Sequence, residues 1–288
     1  MTNTPIISDD YSDSRRDRIL SILEMADGWC SGESISAELG ISRAAVAKHV
    51  AILRSFGHGI ESAPRRGYKL TVKTDSLSRE SMEGLLATEI LGKKEWRYLD
   101  ETTSTNKIAA LWAMEDAEEG GLVLAEHQVA GRGKKGNSWF TLPRGIQFSV
   151  IFHPVVEGNI TEILTMLGTV AVAEAVSSLC PLRPQIKAPN DVFVNGHKVC
   201  GVLVEVGLLD GDTTWAVLGI GCNVNAQPSD FPENLVPLAT SLFIEGKASV
   251  SRRELLAAIL ERLEFWYNRI QQDELPLLKS RYTSLQIS

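Results

Sequence analysis

The stretch from Pro184 to Asn225 constrains the fold most. It carries two turn dipeptides, Asn195-Gly196 and Asp210-Gly211, each set between runs rich in valine, isoleucine and leucine. A type I′ turn needs positive φ at both central residues, which these dipeptides tolerate, and it returns the chain as an antiparallel neighbour. Three strands are expected across this stretch. Upstream, GLVLAEHQ and GIQFSVIFHP also have strand patterns, the second alternating Ile146, Phe148, Val150 and Phe152. Helical patterns stand apart from the strands. One begins near Ser104 and runs through Ala117, an apolar one covers 160–180, and a long one starts at Ser251. The last has Leu256, Ile259, Leu263, Trp266 and Ile270 as its apolar stripe and capping-box spacing at Ser251 and Glu254. Hairpins with segregated helices define an α+β domain, expected over 81–288.

The first 80 residues follow a different pattern. Residues 1–14 are polar and acidic and are expected to be a disordered tail. Apolar residues recur at helical spacing from Arg15 (Ile19, Leu20, Leu23, Met25), up to Gly28. ESISAELG is a second helix, and Ser42 can cap a third through its hydroxyl. Two helices joined at a glycine turn outline a helix-turn-helix. IESAPRRGYKLTV adds two β-type runs around a tight turn, so 15–72 is expected to be a winged helix-turn-helix and the polar 73–80 a linker.

The chain has 36 acidic and 29 basic residues and a net charge of -7, so it is not a general polyanion binder. Any DNA contact must come from a local patch. Between Ile41 and Leu70 the basic residues Arg43, Lys48, Arg54, Arg65, Arg66 and Lys69 are set against Glu61 alone. Ser42, Arg43, Ala44, Ala45 and Lys48 stand early on the recognition helix, where base edges are met. Arg65 and Arg66 at the wing tip are placed for phosphates or a minor groove. A winged helix serving protein contacts alone is the alternative. One module of this size binds weakly, so specificity calls for a dimer.

The segment richest in chemistry is Gly131-Arg132-Gly133-Lys134-Lys135-Gly136. Glycines let backbone N–H groups approach an anion, and the cations between them compensate phosphate charge. The spacing matches neither a P-loop nor a dinucleotide fingerprint, and alone it is equally a flexible basic loop. Ser104-Thr105-Asn106 lies upstream, small hydrogen-bonding groups at a helix start. Lys187-Ala188-Pro189-Asn190-Asp191 lies downstream. A lysine in that apolar surrounding calls for a partner, because an unpaired buried charge is expensive. Lys198 to Glu205 and Gly219 to Asn225 follow, with glycines that mark close backbone approach. Cys30, Cys180, Cys200 and Cys222 form no CxxC pair, so neither a disulfide framework nor a protein metal site is expected.

In this order the segments STN, GRGKKG, KAPND, KVCGVLVE and GIGCNVN resemble those of the biotin protein ligase family. SGESISAELGISRAAVAKHV resembles the helix-turn-helix of its bifunctional, repressor-type members, and the likeness spans about residues 15–285. The resemblance implies a class II aminoacyl-tRNA-synthetase-like mixed α/β catalytic domain behind the winged helix. The family's usual C-terminal SH3-like domain is expected to be absent. The implied reaction takes biotin and ATP with Mg2+ to biotinyl-5′-AMP, then transfers biotin to a lysine of a biotin carboxyl carrier domain. The adenylate is implied to favour a homodimer on operator DNA.

The implied biotin contacts are Ser104, Thr105, Asn106, Gln128, Arg132, Gly133, Lys134 and Lys187. Those to ATP and adenylate are Arg132, Lys134, Lys135, Trp139, Asn190 and Asn223, with Lys187 and Arg132 catalytic. Two residues depart from the family pattern: Ala188 replaces a tryptophan, implying weaker binding or an enlarged pocket, and Lys134 replaces an arginine, losing a bidentate fork. A biotin-sensing or adenylate-sensing regulator with impaired ligase activity, and a lipoate-type acyl ligase, are the other readings. No signal-peptide pattern opens the chain, and its apolar stretches look too short or interrupted to span a bilayer, so a cytoplasmic protein without membrane partners is expected.

Overall fold

The computed structural model describes residues 10–26, 28–55, 58–72, 75–82, 84–155, 158–209, 212–236 and 238–287. The chain forms two compact units, Met1–Glu80 and Ser81–Ser288.

The first unit contains α1 (Asp10–Met25), β1 (Trp29–Cys30), α2 (Gly32–Leu39), α3 (Arg43–Ser55), β2 (Gly59–Ala63) and β3 (Gly67–Val72). The first helix begins at Asp10, not at Arg15, so 10–14 are helical where a disordered tail was expected; residues 1–9 lie outside the described residues. Ile19, Leu20 and Leu23 pack with Ile35, Val46, Val50, Leu53 and Ile60, while Met25, read with that stripe, faces solvent at 87% exposure. The Ser42 hydroxyl accepts the Ala45 N–H at 3.1 Å and starts α3. Strands β2 and β3 form the antiparallel wing, with β1 on the other side of β3. The expected linker is not solvated throughout: Ser76, Leu77 and Ser78 are buried, and a short helix, α4 (Arg79–Met82), starts within it.

The second unit is built on a seven-stranded mixed sheet. Its elements are β4 (Trp96–Thr102), α5 (Thr105–Ala113), β5 (Leu122–Gln128), β6 (Ile146–Phe152), α6 (Ile160–Leu179), β7 (Gln185–Lys187), β8 (Asp191–Val194), β9 (His197–Leu209), β10 (Asp212–Cys222), α7 (Leu242–Gly246), α8 (Arg252–Gln271) and α9 (Leu275–Leu285). The strand order is β4-β5-β6-β10-β9-β8-β7. Among the described residues, β4–β5 is the one parallel pairing between strands of this sheet. The three strands expected over 184–225 are four. Pro189 has no N–H for a ladder, and the Ala188-Pro189-Asn190 turn cuts β7 off as a short edge strand. Asn195 (φ 50°) and Gly196 (φ 83°) make the expected β8–β9 turn. Asp210-Gly211 lie outside the described residues, although β9 and β10 pair antiparallel on either side of them.

Alternation gives the paired strands β9 and β10 two faces. Val202, Val204, Leu218 and Ile220 turn to one side. There Gly168 of α6 lies so close that a Cβ would come within 2.9 Å of Val202. Gly201, Leu203, Glu205, Gly219 and Gly221 turn to the other side, toward α5. The helix α6 is long and apolar enough to cross a membrane, contrary to the expectation above. Its buried residues run almost unbroken from Ile163 to Val176, so it is the core helix of this unit, packed on the sheet and on α8. The stripe expected on α8 is buried throughout, and Ser251 caps that helix by accepting the Glu254 N–H. Glu264 of α8 is a buried carboxylate that accepts the N–H groups of Glu89, Ile90 and Leu91 at 2.6, 2.8 and 2.8 Å.

Candidate active site

A cavity of about 380 Å³ opens on the α5 side of the sheet. Its walls are the start of α5, the glycine loop, the turn after β7, Lys198, and the glycine-bearing parts of β9 and β10. The glycines make room for side chains. A Cβ at Gly219 would sit 1.8 Å from Asn106 Oδ1, and one at Gly221 would sit 2.4 Å from the Trp139 ring. The sequence pattern was read as backbone near a ligand; here the backbone is near the side chains that shape the ligand space.

The start of α5 is held by a polar network. Gln128 Oε1 accepts the N–H of Thr105 at 2.7 Å and lies 3.2 Å from its hydroxyl oxygen. The Gln128 side-chain NH2 is thereby left as the donor end of that group. Ser104 is the N-cap of α5 but makes no side-chain hydrogen bond to the helix. The buried Ser149 hydroxyl lies 2.6 Å from Asn106 Oδ1 and 2.8 Å from Thr105 Oγ1. Asn106 Nδ2 donates to Glu205 Oε2 at 2.9 Å. The other oxygen of Glu205 accepts from Arg132 Nη1 at 2.7 Å.

The loop is a tight hairpin. Arg132 bridges Ser138, Gly133 N–H donates to Asn137 O at 2.7 Å, and Lys135 and Gly136 take positive φ of 58° and 79°. Lys134 and Lys135 are exposed at the cavity edge. Lys198 Nζ lies 2.6 Å from Asp191 Oδ1, an ion contact outside hydrogen-bonding geometry, and 5.5 Å from the centre of the Trp139 ring.

Ser104, Thr105, Asn106, Gln128, Arg132, Gly133, Lys134, Lys135, Trp139 and Asn190 all line this one cavity. Lys187 and Asn223 do not. Lys187 lies on the short edge strand with its side chain exposed, Nζ 5.0 Å from the centre of the Phe193 ring, so it is not a buried charge seeking an anion. Asn223 is 3% exposed and donates to Thr240 O at 3.0 Å, which secures the chain crossing beyond β10. Ala188 is exposed and outside the cavity wall, so the expected enlargement of the pocket at that position is not present.

Lys198 stands where Lys187 was expected. A β-bulge puts it there: Val192 pairs with Cys200 and Phe193 with Lys198, leaving Val199 as the extra residue. A bulge flips the alternation and re-aims a side chain. It turns Lys198 onto the face of Gly201, where a Cβ at 201 would come within 3.3 Å of the Lys198 chain. Ser149 escaped the sequence reading, and Asp191 and Glu205 entered it only as members of motifs, with no role of their own. Behind the sheet, Cys200 pairs across strands with Cys222. Burial, and then the hydrogen bond and charge of Cys222, push the Cys200 thiol well above its ordinary range.

In the first unit, Ser42, Arg43, Ala44 and Lys48 are exposed and Ala45 is half-buried. Arg65, at φ 63°, forms the exposed wing tip, and the Arg66 guanidinium stacks 4.4 Å from the centre of the Trp29 ring.

Residues 98–223 match the Biotin/lipoate A/B protein ligase family, and residues 15–69 match an HTH domain. The bifunctional ligase/repressor BirA of Bacillus subtilis (strain 168) is 36% identical over 247 residues, covering 85% of this chain and 76% of that protein. The bifunctional ligase/repressor BirA of Escherichia coli (strain K12) is 29% identical over 259 residues, covering 88% and 77%. Among solved structures, the biotin protein ligase from Aquifex aeolicus in complex with biotin and ATP superposes with a TM-score of 0.60. Its identity is 27%, over 67% of this chain and 79% of that one. Joining a helix-turn-helix unit to a ligase unit at this identity, the chain belongs to the family of bifunctional biotin ligase/repressors represented by BirA.

Proposed function

We propose that the larger unit condenses biotin with ATP and passes the biotinyl group to a lysine of a biotin carboxyl carrier domain, and that the smaller unit binds operator DNA. The observation that carries the ligase reading is the polarity of the cavity. Its wall combines neutral donors and acceptors on Ser104, Thr105 and Gln128 with the cations Arg132, Lys134 and Lys198. Biotin calls for both kinds of group, with a neutral ureido head and an anionic carboxylate tail. A head group lacking the ureido contacts leaves buried polar groups unpaired, which is how such a site discriminates.

In the first step a biotin carboxylate oxygen bonds to the α-phosphorus of ATP. The bond from α-phosphorus to the bridging oxygen breaks, and pyrophosphate leaves with the electron pair. Charge builds on the phosphoryl oxygens, and Lys198 and Arg132 are the cations placed to stabilise it. This role moves from Lys187 to Lys198 because only Lys198 lines the cavity. Trp139 supplies the aromatic wall for the adenine, with Asn190 beside it. Magnesium would arrive with the nucleotide, held chiefly by phosphate oxygens and water, and Asp191 is the cavity-wall carboxylate that suits it. In the second step the neutral amine of the acceptor lysine attacks the biotinyl carbonyl, and AMP leaves. The glycine loop, closing over the mixed anhydride, would keep water from it.

Arg43, Ala44 and Lys48 on α3, with the wing tip Arg65, form the DNA-facing set, and a homodimer spans two half-sites. We place the protein in the cytoplasm and read its sheet as the class II synthetase-like arrangement. The test is pyrophosphate release from ATP on adding biotin, followed by a streptavidin blot of an added carrier domain. Biotin-dependent release and labelling are expected. Biotin binding without release would make the chain a sensor, and no biotin binding would refute the reading.

A further inference from the structure

The floor of the cavity and the loop at its mouth share one carboxylate. Glu205 binds Asn106 through one oxygen (2.9 Å) and Arg132 through the other (2.7 Å). Asn106 Oδ1 accepts the Ser149 hydroxyl at 2.6 Å, the Ser149 oxygen is 2.8 Å from Thr105 Oγ1 and accepts that hydroxyl, and the Thr105 N–H donates to Gln128 Oε1. A continuous hydrogen-bonded path therefore runs from the end of the site that would read the ligand head, across the sheet, to the arginine of the glycine loop. Asn106 has no freedom to turn away, since it is 4% exposed and packs into the space left by Gly219. Arg132, by contrast, is 55% exposed in its side chain, and its further N–H donors remain for a second partner.

We propose that Glu205 is a positioning residue for this reaction. It holds the Arg132 fork at the cavity mouth, aimed at the anionic end of the ligand, and links that aim to the geometry of the head-reading end. The inference rests on the ligase reading above. A residue needed only for folding would weaken ligand binding equally whatever stands at 132. A residue that acts through Arg132 loses its effect when Arg132 is gone.

The experiment is a double-mutant cycle on the full chain, with biotin affinity measured by calorimetry and pyrophosphate release measured with biotin and ATP. Glu205→Ala is expected to weaken biotin binding on the order of tenfold, the scale of coupling between contacting charged residues. In an Arg132→Ala background the same change is expected to matter less than about twofold. Glu205→Gln keeps the shape and the contact to Asn106, so it should fall between Glu205→Ala and the parent. It also serves if Glu205→Ala fails to fold. Equal loss in both backgrounds, or parental affinity in Glu205→Ala, would overturn the proposal. A parent chain that neither binds biotin nor releases pyrophosphate would instead overturn the ligase reading, and this inference with it.

Discussion

Gly219→Ala is the sharpest test of how the site is built. An alanine Cβ there would sit 1.8 Å from Asn106 Oδ1 and 2.7 Å from its Cγ. The backbone at 219 is ordinary strand, so the conflict is purely steric. Asn106 cannot step aside cheaply, because it is bonded to Ser149 and Glu205 and is 4% exposed. Overpacking a tight interior costs about 1–3 kcal/mol. Losing a hydrogen bond to a charged partner adds about 1.5–3 kcal/mol. Relaxation of neighbours favours the lower parts of these ranges, giving an expected loss of about 3 kcal/mol. The assay is urea unfolding followed by tryptophan fluorescence. Trp96, Trp112, Trp139, Trp215 and Trp266, five of the six tryptophans, lie in the larger unit, so the signal reports on it. With urea slopes of about 2–3 kcal/mol/M, the midpoint should fall by about 1 M. Biotin affinity should fall with it. In an Asn106→Ala background the clash has no target, and the same substitution should cost less than about 1 kcal/mol. An unchanged midpoint for Gly219→Ala, or an equal loss in both backgrounds, would refute the reasoning.

The remaining expectations concern catalysis, DNA and pH. Lys198→Ala should cut biotin-dependent pyrophosphate release by at least about 100-fold, as loss of a transition-state charge partner does, while Lys187→Ala should stay within about threefold. The reverse ranking would restore Lys187 to the site. Arg43→Ala with Lys48→Ala should weaken operator binding in fluorescence anisotropy, and each lost phosphate contact should lower the salt slope by about 1. Pyrophosphate release by that double variant should match the parent, and a loss of release instead of DNA affinity would contradict the assignment. Burial pushes the Cys200 thiol and the Tyr267 phenol up, the phenol aided by its bond to Glu119. Both groups ionise more easily in the unfolded chain, so their contribution to stability is whole below the ordinary thiol value of 9.0 and shrinks as pH rises above it. Melting temperatures should fall steadily above about pH 9, and a flat profile to pH 11 would count against this burial.

Much of the molecule was legible because it depends on local chemistry. Ser42 and Ser251 cap helices because of what a hydroxyl does for free N–H groups, and Asn195-Gly196 turns because both residues accept positive φ. Ten of the named ligand residues converge because they sit at helix starts and loops that the motif order identifies. What escaped is what depends on partners distant in sequence. Lys187 looked buried from its apolar neighbours, but exposure is a property of the sheet, and β7 is its edge. Asn223 was placed at the nucleotide by the likeness of GIGCNVN to the family's motif, yet the residue it serves is Thr240, 17 positions on.

Parity explains the rest. The Gly221–Gly201 and Gly219–Leu203 pairings put 201, 203 and 205 on one face with 219 and 221. That register alone assigns Glu205 to the cavity side and Cys200 and Cys222 to the core. It would also have sent Lys198 to the core, since 198 has the parity of 200. One extra residue, Val199, reverses that parity between Cys200 and Lys198. The residues around Val199, His197-Lys198 before it and Cys200-Gly201 after it, show no sign of the insertion, because a bulge is defined by the opposing strand and not by its own residues. The cation best placed for the chemistry thus owes its position to a pairing irregularity. A substitution that removes the bulge should therefore cost activity through Lys198 while leaving the rest of the cavity wall in place.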